Sequence, residues 1–147
     1  MWTFYNASGF MTTTLAAELK GLVVVGEHRY FGTSQPFGDA SYDNANLGFL
    51  TVEQAMMDFN LLVQNVRWQI ATNYTTSKDF ATIVFGGSYG GMLAAWLRMK
   101  FPHTFQGALA SSAPILFFEG SVSPYAYNEV ATASFAKYDA SCPDIIR

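Results

Sequence analysis

The sequence predicts an α/β fold in which parallel strands alternate with helices. Half of the 147 residues are apolar, enough for a packed core. Short apolar runs without polar alternation occur at residues 22–26, 81–85 and 107–112, as in strands buried on both faces of a parallel sheet. Helical patterns separate these runs. The β-α-β-α-β order therefore favours parallel strands joined by right-handed crossovers.

The first half of the chain contains two predicted helices and a long loop. Residues 12–20 have apolar side chains at helical spacing and lead into the first strand. Residues 33–48 are rich in Gly, Ser, Asn and Asp and form a loop. The longest helix covers residues 51–70, because Thr51 can cap its free amides while Gln54 follows three residues later, as in a capping box.

The second half contains one more clear helix. It covers residues 90–101 and ends at Pro102, which cannot continue a helix. Beyond it the periodicity fades, with one further helix predicted over residues 127–138. We therefore divide the chain into a partial α/β domain, residues 1–118, and the incomplete beginning of another region, residues 119–147.

Composition argues against several partners. The net charge is −3 and no Lys/Arg cluster is present, so we expect neither nucleic acid nor an anionic membrane surface as a partner. The apolar runs are shorter than the roughly 20 residues that span a bilayer. The first residues have neither the basic start nor the apolar stretch of a secretory signal. Oligomeric state stays open.

Three residues bear on the compartment. Asn6 and Asn73 each begin an Asn-x-Ser/Thr glycosylation signal, in places where a surface turn is plausible. Cys142 is the only cysteine. In a secreted protein it suggests a disulfide partner elsewhere, whereas otherwise it is an inert small hydrophobe.

The chemistry is predicted at the motif Gly86-Gly87-Ser88-Tyr89-Gly90, between a strand and a helix. It matches the Gly-x-Ser-x-Gly nucleophile elbow of α/β-hydrolases, in which a strained turn exposes the serine hydroxyl. We expect the chain two residues before and after Ser88 to pass too close for side chains, and Gly91 to let the helix pack over the strand. No P-loop or dinucleotide fingerprint is present, so we expect no cofactor and no metal.

A serine nucleophile needs an oxyanion donor and a base. The amide of Tyr89 is a natural donor at the start of a helix. The base is missing, because in α/β-hydrolases the Asp or Glu and then the His follow the serine. His103, the only later histidine, lies at the far end of the elbow helix, beyond reach.

The residues Glu27, His28 and Arg29 follow the first strand, on the rim where the elbow also lies. His28 is a weak candidate for the base. We favour a structural cluster in which hydrogen bonds and charge pairing fix the following loop. The helix acids Asp58 and Glu53 are expected to be solvated or paired with arginine rather than catalytic.

Five segments of the chain are characteristic when taken together. They are residues 27–32 (Glu-His-Arg-Tyr-Phe-Gly), 50–55 (Leu-Thr-Val-Glu-Gln-Ala), 86–96 (Gly-Gly-Ser-Tyr-Gly-Gly-Met-Leu-Ala-Ala-Trp), 98–103 (Arg-Met-Lys-Phe-Pro-His) and 110–114 (Ala-Ser-Ser-Ala-Pro). With them the chain resembles the serine peptidase family of lysosomal Pro-X carboxypeptidase and dipeptidyl peptidase II. The likeness is expected to be weak after Glu119.

The resemblance implies a lysosomal or secreted serine exopeptidase that cleaves short peptides beside proline, with Ser88 as nucleophile. It implies that Met92 lines the proline pocket and that residues 119–147 begin a helical cap. It also implies that the Asp and His lie beyond residue 147, so this chain alone is expected to be inactive. A further strand, expected before Trp2, would separate residues 22–26 from residues 81–85 and prevent a ladder between them. The chain is thus expected to be truncated at both ends.

Two alternatives stay open. Another α/β-hydrolase, such as an esterase, would share the elbow but not the segment that begins at Glu27 or the residues from Met92 to His103. A truncated product without catalytic activity would fit the missing Asp and His.

Overall fold

The computed structural model describes residues 2–74 and 80–146, which form helices and a parallel sheet of two strands. In chain order the elements are α1 Trp2–Ala7, α2 Ala16–Glu18, α3 Val52–Tyr74, β1 Ile83–Gly87, α4 Tyr89–Lys100, β2 Gly107–Ser111, α5 Ala126–Tyr138 and α6 Cys142–Ile146. A π-helical stretch, Phe10–Leu15, joins α1 to α2, and two 3-10 turns, Gly38–Tyr42 and Leu47–Phe49, lie in the loop before α3.

The helices predicted from periodicity are present. α3 begins where its cap predicted, because the Gln54 amide donates to Thr51 Oγ1 at 3.3 Å. The other half of the capping box is not made, since the Gln54 side chain accepts a hydrogen bond from Arg29 instead. The first helical segment starts at Trp2, well before its predicted start. It ends where the Gly21 amide donates to the Ala16 carbonyl at 2.7 Å.

β1 and β2 pair in parallel, in register from Ile83 opposite Gly107 to Gly87 opposite Ser111. The β1-α4-β2 connection confirms that part of the predicted order. Helix α4 packs across both strands and also contacts α3. The hydrophobic core lies where α3 and α4 meet. It is centred on Met56, Leu93, Leu97 and Phe105, and Val84 of β1 packs against it.

The prediction of a strand at residues 22–26 is wrong for this structure. The segment has no regular secondary structure, and the described residues form no ladder along it. A strand is defined by its pairing, and an apolar sequence supplies no hydrogen-bonding partner. No ladder joins this segment to β1 in the described parts of the chain, and the expected gap of two strand spacings between them stays a prediction.

The strands are also less buried than predicted. Val84 faces the helices, but Ile83, Phe85 and Leu109 are 48%, 37% and 50% exposed. The side chains of a strand alternate between the two faces of a sheet. In the described residues helices cover one face, which leaves these three apolar side chains on the open one. No described helix is both long and apolar enough to span a bilayer.

Candidate active site

Ser88 occupies a strained turn between β1 and α4. Its φ of 54° and ψ of −125° lie in a region that residues other than glycine rarely adopt. The Ser88 amide donates to the Ser111 carbonyl at 3.0 Å, and the Ser88 carbonyl accepts from the Met92 amide at 3.0 Å. Ser88 itself is exposed. The predicted strained strand-to-helix turn is therefore present, with both backbone groups of Ser88 engaged and its side chain at the surface.

The glycines around Ser88 differ in how much space they have. A Cβ on Gly86 would lie 2.0 Å from the Gly90 carbonyl oxygen, and a Cβ on Gly91 would lie 2.8 Å from the Ser111 carbonyl oxygen. A Cβ on Gly90 would meet nothing within 4 Å, and one on Gly87 would make only a distant contact at 4.0 Å. The expectation that Gly90 itself has no room for a side chain is thus wrong. Its backbone instead fills the space next to Gly86.

Tyr89 presents two polar groups near the nucleophile. Because it is the first residue of α4, its amide has no acceptor inside the helix, and the positive end of the helix dipole lies there. An amide in this position can donate to an oxyanion formed on a carbonyl attacked by Ser88. The Tyr89 side chain is 43% exposed, and its partial burial raises the pKa of the phenol.

His28 contacts Tyr89 and makes no hydrogen bond to Ser88 among the described contacts. Its Nδ1 lies 2.7 Å from the Arg29 carbonyl. Since a carbonyl only accepts, Nδ1 carries the hydrogen and the neutral ring has its lone pair on Nε2. Nε2 lies 3.1 Å from the Tyr89 hydroxyl. The one basic nitrogen of His28 is thus occupied, which argues against a role as general base.

Arg29 fastens the end of the long loop to α3. Its Nε and one terminal nitrogen donate to the two carboxylate oxygens of Asp58 at 2.6 and 2.8 Å. The other terminal nitrogen donates to the Phe49 carbonyl at 2.7 Å and to the side chain of Gln54. The hydrogen bond to Asp58 raises the pKa of Arg29. This bidentate pair supports the expected structural role, and it places Asp58 outside the candidate catalytic groups.

Glu27 closes the turn that follows it. One carboxylate oxygen accepts hydrogen bonds from the amides and hydroxyls of Thr33 and Ser34, at 2.8 to 3.2 Å. Gly32, the residue before Thr33, has φ of +58°, and a Cβ there would lie 2.0 Å from the other carboxylate oxygen of Glu27. These hydrogen bonds, led by that of the Ser34 hydroxyl, lower the pKa of Glu27. Glu27 and Arg29 thus order the loop without contacting each other in the described structure.

We expect Glu27→Gln to destabilise the fold at neutral pH, because a neutral amide oxygen accepts these hydrogen bonds more weakly than a charged carboxylate oxygen does. The folded-state pKa lies below the ordinary value of 4.5, so the contribution of the carboxylate is present above that value and is lost as the pH falls through the folded pKa. Thermal unfolding from pH 7 to pH 3 should show the two proteins converge at low pH. Glu53→Gln, at an exposed position of α3, is the control. A difference that does not change with pH would contradict this assignment.

The described residues bring no base to Ser88. His103 lies beyond the end of α4, about 18 Å along the 12-residue helix at roughly 1.5 Å per residue. An open groove of about 590 Å³ is lined by Glu27, Arg29 and Asp58 together with Phe59, but Ser88 does not line it. Its charged groups are already hydrogen-bonded to the protein.

The other candidate residues lie on helices. Met92 is partly buried on α4, one turn after Ser88. Asn6 and Asn73 are exposed, but Asn6 lies within α1 and Asn73 in the last turn of α3 rather than in the expected turns. Cys142 is a free, partly buried cysteine at the start of α6. No group of three or more potential metal-ligating side chains occurs in the described parts of the chain.

Sequence reasoning missed two contacts of the site. The first is the Ser111 carbonyl that holds the Ser88 amide, and the second is the Tyr89 hydroxyl on His28. The second pair is separated by 61 positions, so no local signal marks it.

Comparison with known proteins shows which family this chain matches. A family model described as Serine carboxypeptidase S28 matches residues 3–147, so the match extends past Glu119. Lysosomal Pro-X carboxypeptidase of Homo sapiens is 46% identical over 144 residues, which are 97% of this chain and 28% of the relative. Prolyl carboxy peptidase like protein 5 of Caenorhabditis elegans is 46% identical over 141 residues, 95% of this chain and 27% of the relative. Thymus-specific serine protease of Mus musculus is 38% identical over 123 residues, 84% of this chain and 22% of the relative.

Proposed function

The chain belongs to the serine carboxypeptidase S28 family, and we propose that it is the nucleophile-bearing part of a serine exopeptidase that cleaves short peptides beside proline. The chain spans less than a third of the length of the relatives above. These relatives are named as carboxypeptidases and as a serine protease, so we class this chain with the hydrolases. We infer cleavage beside proline from the relatives that are named Pro-X carboxypeptidase.

The observation that carries the proposal is the geometry of Ser88. Ser88 is an exposed residue at a strained turn, and its amide donates a hydrogen bond to the Ser111 carbonyl. The next residue, Tyr89, is the first residue of α4. In the proposed reaction Ser88 Oγ loses its proton to a base and bonds to the substrate carbonyl carbon, whose oxygen becomes the oxyanion. The Tyr89 amide donates to that oxygen. The amine then leaves with the proton, and water hydrolyses the ester.

The remaining parts of the proposal concern the base, the pocket and the compartment. We propose that the catalytic histidine and its acidic partner correspond to residues of the relatives outside the segment that this chain matches, because no described histidine reaches Ser88. We place Met92 in the wall of the proline pocket, one turn from the nucleophile, and keep residues 119–147 as the start of a cap on an α/β-hydrolase core. The relatives' names favour a lysosomal or extracellular site of action, in which Asn6 and Asn73 would carry glycans.

A chimaera tests the function. Residues 3–147 replace the matching segment of human lysosomal Pro-X carboxypeptidase, and release of the C-terminal residue from a peptide ending in Pro-Phe is measured at acidic pH. We expect hydrolysis by the chimaera and none by the 147-residue chain alone, because a serine without a base is a poor nucleophile. A peptide ending in Ala-Phe is the control substrate. A folded but inactive chimaera, or equal rates on both peptides, would contradict the proposal.

A further inference from the structure

The hydrogen bond between His28 and Tyr89 connects the loop after residues 22–26 to the residue that follows the nucleophile. It is a side-chain contact between partners 61 positions apart, with Nε2 3.1 Å from the hydroxyl oxygen. The two rings also lie against each other, with centroids 5.7 Å apart. Tyr89 is thus held at its hydroxyl by His28 and at its backbone by the start of α4.

The direction of this hydrogen bond follows from the other side of the ring. Nδ1–H donates to the Arg29 carbonyl at 2.7 Å, so the neutral imidazole offers a lone pair at Nε2 and the Tyr89 hydroxyl donates to it. A histidine whose lone pair already accepts this hydrogen is poorly suited to take the proton of Ser88. It is well suited to hold a phenol in place.

His28 is itself held on several sides. The rings of Phe31 and Phe59 meet its ring at centroid distances of 5.4 and 6.4 Å, both edge-on. The next residue, Arg29, is fixed to Asp58 on α3 by two hydrogen bonds. These contacts hold the imidazole in place against α3, and the Tyr89 hydroxyl is hydrogen-bonded to it.

We propose that His28 is a positioning residue that, through the hydroxyl of Tyr89, orients the Ser88–Tyr89 peptide so that the Tyr89 amide points at the developing oxyanion. This inference rests on the proposed function. An oxyanion donor is effective only when it is already aimed at the oxygen position of the transition state. Small displacements of reacting groups are costly, since a misplacement of about 1 Å can lower rates about a hundredfold.

The contact is tested first in the 147-residue chain, because the chain has two histidines, His28 and His103. Imidazole ¹⁵N and ¹³C NMR signals are recorded for the unchanged chain, for Tyr89→Phe and for Tyr127→Phe. Tyr127 lies on α5 and is 80% exposed, so it is the matched control. We expect Tyr89→Phe to shift the Nε2 signal of His28 and leave that of His103 unchanged, whereas Tyr127→Phe shifts neither. An unmoved His28 signal in Tyr89→Phe would overturn the proposal.

The consequence for catalysis is measured in the chimaera. We expect His28→Leu and Tyr89→Phe each to lower kcat about tenfold and to change KM less than about twofold, because the lost orientation acts on the transition state. The double variant should be no slower than the slower single variant, since both remove one contact. His28→Gln keeps an acceptor near the Nε2 position and should recover most of kcat. Melting temperatures show that each variant is folded.

Three kinetic results would also overturn the positioning role. They are an unchanged kcat in folded Tyr89→Phe, losses that multiply in the double variant, and a change confined to KM. A folded unsubstituted chimaera without activity would instead refute the proposed function, and the positioning role with it. The imidazole signals would even then report whether the contact exists, so the two failures are distinguishable.

Discussion

Ser88→Gly is expected to abolish hydrolysis by the chimaera while making the chain more stable. Removing the serine of a catalytic triad lowers kcat by roughly a millionfold. Ser88 also has φ of 54° and ψ of −125°, and such a conformation costs about 1 to 3 kcal/mol for a residue other than glycine. Glycine adopts it without that cost, although its greater freedom in the unfolded chain offsets part of the gain. We expect a net increase of about 1 to 2 kcal/mol in the free energy of unfolding.

The matched control is Ser88→Ala. Alanine also removes the hydroxyl, so the loss of hydrolysis should be the same, but it keeps the Cβ and therefore the strain. Denaturant unfolding of the chain measures stability, and hydrolysis is measured in the chimaera. If Ser88→Gly were no more stable than Ser88→Ala, the turn would not be strained. If Ser88→Ala kept its activity, Ser88 would not be the nucleophile.

Features set by neighbouring residues were predictable from the sequence. The start of α3 follows from the Thr51 hydroxyl three residues before the Gln54 amide, and the elbow follows from small residues on both sides of Ser88. The parallel pairing of β1 with β2 follows from the helix that separates them. In each case the interaction that decides the structure lies within one short segment or one β-α-β unit.

Features set by distant partners were not predictable. Residues 22–26 have the composition of a buried strand, yet a strand forms only where another strand pairs with it, and the described residues provide none. The contact of His28 with Tyr89 depends on how the loop packs on α3. Periodicity carries no information on such packing. The missing base for Ser88 is a different case, because the sequence predicted it from chain order alone and no described histidine reaches the serine.

The glycines of the elbow show where a motif is less informative than the structure. Gly86 and Gly90 are equally part of the Gly-x-Ser-x-Gly pattern, but their surroundings differ. A Cβ on Gly86 would lie 2.0 Å from the Gly90 carbonyl oxygen and 2.3 Å from its carbon. These are backbone atoms, so β1 and α4 must separate to admit a methyl group. A Cβ on Gly90 would point into open space.

We therefore expect Gly86→Ala to destabilise the chain by about 3 to 5 kcal/mol, the range of severe steric changes, and to abolish hydrolysis in the chimaera by displacing Ser88. Gly90→Ala is the matched control. Because Gly90 lies in the first turn of α4, alanine should leave stability unchanged or raise it by up to about 1 kcal/mol. Denaturant unfolding of both variants measures the difference. Equal destabilisation by the two substitutions would show that the close approach at Gly86 is not what requires a glycine there, since the motif would then tolerate neither change.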